Sequence, residues 1–365
     1  MCAIAGIISL RNNNIDRNRE TIREMTRVQA HRGPDGEGID EFEDGRVLLG
    51  HRRLSIIDLS SNARQPMRSA DGRYTITYNG EIYNYIELKQ ELKRRGVLFK
   101  TNSDTEVVLY VYVVYGVDGL KLLNGMFAFA IWDNYRKELI MARDRYGIKP
   151  LYYAIVNNKI LFASEYKAII LDKDINRRIN LKALKEYLTF QNIFSNMTLL
   201  QDISILEAGS YLRINYTDDE ITYDSEKYWD YNFEESLNPL SYEECKEELD
   251  RLFNQAVRRQ LVSDVEVGSY LSGGIDSGSI VAVASKHLSN LKTFTCGFDL
   301  HSASGIELAY DEREKAEYMS YLFKTEHYEM VLKAGDMERC MEDLIWHMED
   351  PRVGQSYPNY YAAKI

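Results

Sequence analysis

Directly behind Met1 stands Cys2, in the run Met1-Cys2-Ala3-Ile4-Ala5-Gly6-Ile7-Ile8. Removal of the initiator methionine leaves one residue that carries both a thiol and a free α-amine. The thiolate is the reactive form of cysteine. An α-amine titrates at roughly 8 in water, so it can take the thiol proton directly or through one water, which makes a nucleophile with its own base. The competing assignment is a packing role, since a cysteine among small apolar residues is usually buried filler.

Two further constellations could do chemistry. Ser272-Gly273-Gly274-Ile275-Asp276-Ser277 follows a strand-like run and opens a helix-like one, so its amides converge on a helix N-terminus suited to an anion. It lacks the lysine of a GxxxxGK[ST] loop, which disfavours a γ-phosphate clamp. A pyrophosphate held by glycine amides and serine hydroxyls, with Asp276 on a magnesium ion, fits better. The plainer reading is a tight turn with Asp and Ser at a helix start. Asn79-Gly80 lies between the runs Tyr74 to Tyr78 and Ile82 to Tyr85, the leading signal for a two-residue hairpin turn. Acyl transfer through a thioester asks instead for two donors aimed at an oxyanion, and an Asn amide beside an unhindered Gly amide supplies both. The sequence leaves the two readings open. Asp104 can equally favour the first turn of its helix through the dipole, and Arg53 can be a surface charge.

The elements that must position these residues change character along the chain. Short strands and turns with a few helices fill residues 2–214: Ile4 to Leu10, Val47 to Leu49, Leu54 to Ile57, Phe127 to Trp132, Glu138 to Ala142, Leu151 to Val156 and Ile160 to Ala163 all read as strands. Ser103-Asp104-Thr105-Glu106 fits a capping box ahead of a buried helix over Val107 to Tyr115. Residues 215–240 turn acidic and aromatic (Asp218, Asp219, Glu220, Glu234, Glu235, then Asn238-Pro239) and read as a connecting segment. From 241 to 365 the order becomes helix (Tyr242 to Val262), strand (Val265 to Leu271), Gly-rich turn, helix (Ser277 to Leu288), strand (Lys292 to Gly297). That is a βαβ unit, which favours a parallel sheet.

The 365 residues suggest about two domains. A formal net charge of -11 argues against a general affinity for nucleic acid or anionic lipid. Cys2, Cys245, Cys296 and Cys340 lie far apart with no CxxC pair, which fits neither a disulfide framework nor a zinc site, and reduced cytoplasmic thiols are expected. The apolar start from Cys2 to Leu10 has no basic segment before it, and only Arg11-Asn12-Asn13-Asn14 behind it, so it does not read as a signal peptide. No run reaches the roughly 20 apolar residues of a membrane helix.

Six motifs, Met1 to Gly6, His31-Arg32-Gly33-Pro34-Asp35-Gly36, His51 to Ile56, Tyr78-Asn79-Gly80-Glu81-Ile82-Tyr83-Asn84, Ser103 to Glu106 and Arg143-Asp144-Arg145-Tyr146-Gly147-Ile148-Lys149-Pro150, together resemble the glutaminase domain of glutamine-hydrolysing asparagine synthetases. Ser272 to Ser277 resembles the pyrophosphate loop of their synthetase domain. The resemblance implies an αββα sandwich with Cys2 between two sheets, followed by a partial adenine-nucleotide-binding α/β domain. It implies Cys2 as catalytic nucleophile, Asn79 and Gly80 as oxyanion hole, Arg53 on the α-carboxylate of glutamine, and Glu81 with Asp104 on its α-ammonium. Leu271 and Cys296 would contact the adenine nucleotide through the backbone; Ser272, Gly273, Gly274, Asp276 and Ser277 would hold pyrophosphate and magnesium. His31 and His51 read as structural, because the α-amine already supplies a base.

In function, the resemblance implies glutamine-dependent asparagine synthesis: glutamine gives ammonia at Cys2, and ammonia amidates aspartate activated by ATP with Mg2+. A homodimer is implied in the same way, and the Gly125-Met126-Phe127 region is expected to contribute to the ammonia channel. The family continues beyond this chain's last residue to a second Gly-rich motif, SGEGSDE, so the expectation for these 365 residues is retained glutaminase chemistry with synthesis lost or weakened. Three rivals stand beside it. A phosphoribosyl or sugar-phosphate amidotransferase would lack the loop at Ser272; a related ATP-dependent enzyme could amidate another carboxylate acceptor, such as a cell-surface precursor, though the β-lactam-forming type would not need Cys2; and a remnant that only binds a partner would release no glutamate.

Overall fold

The computed structural model describes residues 1–10, 14–217, 219–234, 240–299, 301–302, 311–350 and 356–365. The chain divides into two compact units, Met1–Phe233 and Glu234–Ile365. In chain order the strands of the first unit are β1 (Ala3–Ser9), β2 (Gly36–Phe42), β3 (Val47–Arg53), β4 (Met67–Arg68), β5 (Tyr74–Ile82), β6 (Gly125–Asp133), β7 (Glu138–Arg143), β8 (Tyr152–Val156), β9 (Lys159–Ala163), β10 (Ile203–Ile205), β11 (Ser210–Tyr216) and β12 (Ile221–Lys227). Its helices are α1 (Ile15–Val28), α2 (Tyr85–Arg94), α3 (Asp104–Tyr115), α4 (Tyr166–Ile169) and α5 (Leu181–Phe190).

Two six-stranded sheets result, ordered β10-β8-β9-β1-β3-β2 and β12-β11-β7-β6-β5-β4. Side chains alternate across a strand, and β1 shows the consequence. Ile4 and Ile8 join Ala128, Ala130, Trp132 and Met141 in the core between the sheets. Ala5 and Ile7 face the other way, against Ile22 and Met25 of α1 and Ala168 of α4. On the second sheet Ile76, Tyr78, Phe127 and Phe129 turn outward to pack on Leu88 of α2 and Val107, Val108 and Val111 of α3. Three apolar layers thus separate helix, sheet, sheet and helix, the αββα sandwich. Its two sheets are cross-linked by polar groups as well: Thr77 Oγ1 donates to Gly50 O at 3.0 Å, and His51 Nε2 lies 3.0 Å from Tyr78 O.

Several local expectations change. Asn79-Gly80 is not a turn, because β5 runs unbroken from Tyr74 to Ile82 and pairs with β6 along its whole length. Leu54 to Ile57 is not a strand but a loop after β3. At Ser103 only half the capping box forms. Ser103 Oγ accepts from Thr105 N at 3.2 Å, while Glu106 turns back to Lys100 N, Thr101 N and Thr101 Oγ1. The segment 215–240 is not merely a connector, since Ile221–Lys227 pairs residue by residue with β11. Its acidic outward side chains hid an edge strand, where charge is a normal safeguard against further pairing. Arg11, Asn12, Asn13, Asp218, Glu235 and Asn238-Pro239 lie outside the described residues. So do 351–355. Helix α1, missed for its four arginines and low hydropathy, is capped by Asn14, whose side chain accepts from Arg17 N at 3.0 Å.

The second unit contains α6 (Tyr242–Gln260), β13 (Gly268–Tyr270), α7 (Ile275–Ala284), β14 (Lys292–Phe298), α8 (Arg313–Phe323), β15 (Glu326–Leu332), α9 (Asp336–Met348) and α10 (Ser356–Ala362). Ser241 and Glu244 form a full capping box on α6. The three strands are parallel in the order β13-β14-β15, as the βαβ pattern requires. Val257, Leu271, Val281, Leu291 and Ala316 form its core. Among the described residues no helix is long and apolar enough to cross a membrane.

Candidate active site

Cys2 sits one residue ahead of β1, and the alternation that sends Ile4 and Ile8 between the sheets sends its side chain to the same side. The loop after β3 meets it there. Leu54 N donates to Cys2 Sγ at 3.4 Å, and Leu54 O lies 3.6 Å from the sulfur. Burial pushes the Cys2 thiol up, with the Leu54 contact pulling against it. The α-amine of Met1, immediately upstream, is shifted down, first by burial and then by the charges of Arg32 and Lys149.

On the opposite sheet Asn79 shares the inward face of β5 with Thr75 and Thr77. It is 1% exposed, and its Nδ2 has no hydrogen-bond partner among the described residues. A buried donor left unpaired costs free energy, about 1–3 kcal/mol, and such a group in a native site asks for an explanation. At Gly80 the neighbouring strand comes too close for a side chain: a Cβ would stand 2.5 Å from Met126 O and 2.8 Å from Phe127 Cα.

The two carboxylates expected to hold an ammonium are close enough to perturb each other. Asp104 is buried at the start of α3, where Oδ2 accepts from Tyr78 OH at 2.7 Å and from Ile82 N at 3.0 Å. Burial raises its pKa against those bonds. Glu81 is pushed up to about 8 by burial and then by the charge of Asp104, with Lys149 and the α-ammonium opposing. Two carboxyls that share a desolvated site and resist joint ionisation are suited to receiving a cation. Arg53 ends β3 beside Leu54. Its guanidinium donates to Ser60 O at 2.8 Å and to Asp58 O, which fixes the loop that touches Cys2.

Two residues of the site, Arg32 and Lys149, went unassigned in the sequence. Arg32 Nε donates to Cys2 O at 3.1 Å, and Arg32 Nη1 pairs with Glu165 at 3.1 Å. Lys149 is buried with Nζ 3.2 Å from Met1 Sδ, and burial lowers its pKa. Arg32 and Lys149 stand in the HRGPDG and RDRYGIKP motifs, so the signal was present without a role attached. His51 is fully buried with its pKa down to about 3 from burial, so it is neutral and structural. His31 reaches Glu165 Oε1 at 3.0 Å.

In the second unit the loop after β13 folds onto itself. Ser272 N donates to Ser277 Oγ at 3.0 Å, Gly274 N donates to Ser272 Oγ at 3.1 Å, and the two hydroxyls lie 2.9 Å apart. Gly274 precedes α7 without a side-chain cap. A cavity of about 590 Å³ opens at the carboxyl ends of the strands, lined by Leu271, Ser272, Ser277 and Cys296 together with Tyr270 and Phe294. This is where open parallel sheets bind ligands. Gly273 and Asp276 are not among that lining. Gly273 faces a separate hollow beside Lys315, and Asp276 is exposed. Among the described residues no group of three His, Cys, Asp or Glu is placed to hold a metal ion.

Residues 1–229 match the family model of the glutamine amidotransferase domain, and residues 248–365 that of asparagine synthase. Asparagine synthetase [glutamine-hydrolyzing] 1 of Bacillus subtilis is 38% identical over 349 residues, covering 94% of this chain and 52% of that protein. The putative asparagine synthetase [glutamine-hydrolyzing] 2 of Methanocaldococcus jannaschii is 34% identical over 388 residues, covering 100% of this chain and 72% of that protein. The chain belongs to the glutamine-hydrolysing asparagine synthetase family. It spans about half the length of the Bacillus relative. A solved Bacillus subtilis glutamine phosphoribosylpyrophosphate amidotransferase aligns with 90% of this chain and 65% of its own, at 18% identity and a TM-score of 0.45.

Proposed function

We propose that the first unit of this asparagine synthetase family member hydrolyses glutamine at Cys2, and that the second carries the pyrophosphate side of an ATP site whose activated aspartate receives the ammonia. The observation that carries the reading is the buried, unpartnered Asn79 amide on the face that Cys2 also addresses. A donor held ready without a ground-state partner is what an oxyanion site needs.

With Met1 removed, the Cys2 α-amine inherits a buried surrounding flanked by the Arg32 and Lys149 cations, which favours its neutral, proton-accepting form. It takes the thiol proton, and the thiolate attacks the side-chain amide carbon of glutamine. Asn79 Nδ2 and the Gly80 amide stabilise the tetrahedral oxyanion. The new α-ammonium returns its proton to the leaving nitrogen as ammonia departs. Water, deprotonated by the same amine, cleaves the thioester to glutamate and restores the thiol. Glu81 and Asp104 receive the α-ammonium of glutamine, while Arg53 receives its α-carboxylate in the bidentate manner suited to a guanidinium.

In the second unit the uncapped start of α7 and the paired hydroxyls of Ser272 and Ser277 suit a pyrophosphate. One carboxylate, Asp276, plus substrate phosphates is a normal ligand set for Mg2+. Leu271 and Cys296 wall the cavity where the adenine nucleotide would lie, and Gly273 and Gly274 let the loop approach the phosphates. ATP and aspartate would yield a β-aspartyl adenylate and pyrophosphate, and ammonia would displace AMP to give asparagine. Reduced cysteines and an acidic surface fit a cytoplasmic enzyme acting on small molecules, as a homodimer.

The test is glutamate and ammonia release from glutamine by protein whose intact mass shows Met1 removed. Hydrolysis is expected from the wild type and not from Cys2→Ala; undiminished turnover by Cys2→Ala would overturn the assignment.

A further inference from the structure

Glu165 lies between β9 and α4, outside every role assigned so far, yet its surroundings are unusually built. The side chain is 5% exposed and carries two cationic partners and an imidazole: Arg32 Nη1 at 3.1 Å and His31 Nε2 at 3.0 Å on Oε1, and Lys167 Nζ at 2.8 Å on Oε2. Its main-chain N–H donates to Gln29 Oε1 at 3.1 Å. The chain around it is stitched to the start of β1. Ser164 N donates to Ile4 O at 3.0 Å, and Ile4 N donates to Ser164 Oγ at 3.0 Å. Burial alone would raise the Glu165 carboxyl. The hydrogen bonds of His31 and Lys167, with the charges of Lys167 and Arg32, reverse this and bring it down to about 2.

The sheet does not reach Cys2. Pairing of β1 with β3 begins at Ala3↔Arg52, and pairing with β9 begins at Ala5↔Ala163. Once Met1 is gone, Cys2 is a chain terminus one residue beyond the ladder, and such residues fray unless tied down. Besides Leu54 N at the sulfur, the tie at the main chain is the bond from Arg32 Nε to Cys2 O, and the other side of that guanidinium rests on Glu165.

We propose that Glu165 is a positioning residue for the nucleophile: its carboxylate fixes the Arg32 guanidinium, which holds the Cys2 carbonyl and so aims the thiol and α-amine. The proposal rests on the glutaminase reading. Being ionised well below neutrality, the clamp holds steady across the working range of pH. Small misplacements of a reacting group can cost on the order of 10²-fold in rate, so the effect belongs in kcat rather than in glutamine binding.

The experiment compares Glu165→Gln, Arg32→Gln and the double variant with wild type in kcat, KM for glutamine, and hydrogen exchange of the peptide spanning residues 2–9. Expected are a kcat lowered about 10- to 100-fold in Glu165→Gln, a KM within threefold of wild type, and faster exchange of that peptide. The double variant should be no slower than Arg32→Gln alone, because the two act as one device. If Glu165→Gln fails to fold, Glu165→Gln with Lys167→Met, which also removes the cation on Oε2, takes its place. Wild-type kcat, multiplicative losses in the double variant, or unchanged exchange would each overturn the proposal. A wild-type protein that releases no glutamate would sink the glutaminase reading instead, and the exchange measurement still decides whether Glu165 holds the N-terminus.

Discussion

Replacing Asn79 with alanine separates a catalytic donor from a structural one, because the two roles predict opposite signs for stability. A structural amide in a site 1% exposed would be hydrogen-bonded, and its loss would destabilise the first unit. Here Nδ2 has no partner among the described residues, so truncation removes a desolvated donor worth about 1–3 kcal/mol of penalty and gives up only a few packing contacts. The net change is expected between neutral and about 2 kcal/mol stabilising, with a rise of up to several degrees in the melting temperature at ~2–4 °C per kcal/mol for a unit of this size. Catalysis should move the other way. Losing one oxyanion donor costs about 2.7–4 kcal/mol of transition-state stabilisation, or 10²–10³ in kcat. KM for glutamine should change little, since the donor meets charge that develops only in the transition state. The assays are steady-state glutamate release and a thermal melt on the same preparations. A variant that melts more than 5 °C lower and keeps kcat within threefold of wild type would refute the reasoning, because Asn79 would then be holding the fold and not the oxyanion.

The remaining predictions probe the same site and its neighbour. Glu81, with its carboxyl raised to about 8, binds more protons folded than unfolded between roughly pH 4.5 and 8, so it makes the first unit less stable as pH rises through that window. Glu81→Gln should flatten that decline in pH-dependent melts and raise KM for glutamine; a decline as steep as wild type would count against the assignment. In the wild type, KM for glutamine should fall from pH 6 to 8.5 as Glu81 ionises, and a KM independent of pH would exclude Glu81 as an ammonium ligand. Gly80→Ala drives a Cβ into Met126 O and Phe127 Cα, so a loss of about 1–3 kcal/mol from overpacking should accompany lost hydrolysis, read by denaturant midpoint and turnover. Ser277→Ala breaks the hydroxyl pair with Ser272 and should weaken ATP binding by calorimetry at least fivefold while glutamine hydrolysis stays unchanged.

Motifs carried the candidate site further than periodicity carried the fold. Cys2, Glu81, Asp104 and the loop from Ser272 to Ser277 were singled out by the motifs they share with the family, because taken alone Cys2 could be packing, Asp104 a helix-start charge and the loop a tight turn. Asn79-Gly80 was ambiguous for a physical reason: the pair is good hairpin chemistry, and only β6, pressing within 2.5 Å of where a Cβ would lie, shows that the glycine serves close approach in an unbroken strand. Arg32 and Glu165 lay 133 positions apart, and no local pattern reports an ion pair at that separation. Strand β12 and helix α1 were missed since their outward faces are charged, although β12 pairs with its hairpin neighbour β11, so burial, not propensity, decides them.

The same distinction explains why Cys2, as the proposed nucleophile, needs support from so far along the chain. A strand end is specified by its neighbours' hydrogen bonds, and β1 spends its own before reaching Cys2. An N-terminal nucleophile cannot borrow rigidity from a preceding residue, because catalysis requires that residue to be absent. What holds it must come from elsewhere in the sequence: Leu54 N at the sulfur and Arg32 at the carbonyl. On the proposed glutaminase reading, the freedom that would give Cys2 its own base is also the reason its geometry would depend on a loop after β3 and an arginine braced by Glu165.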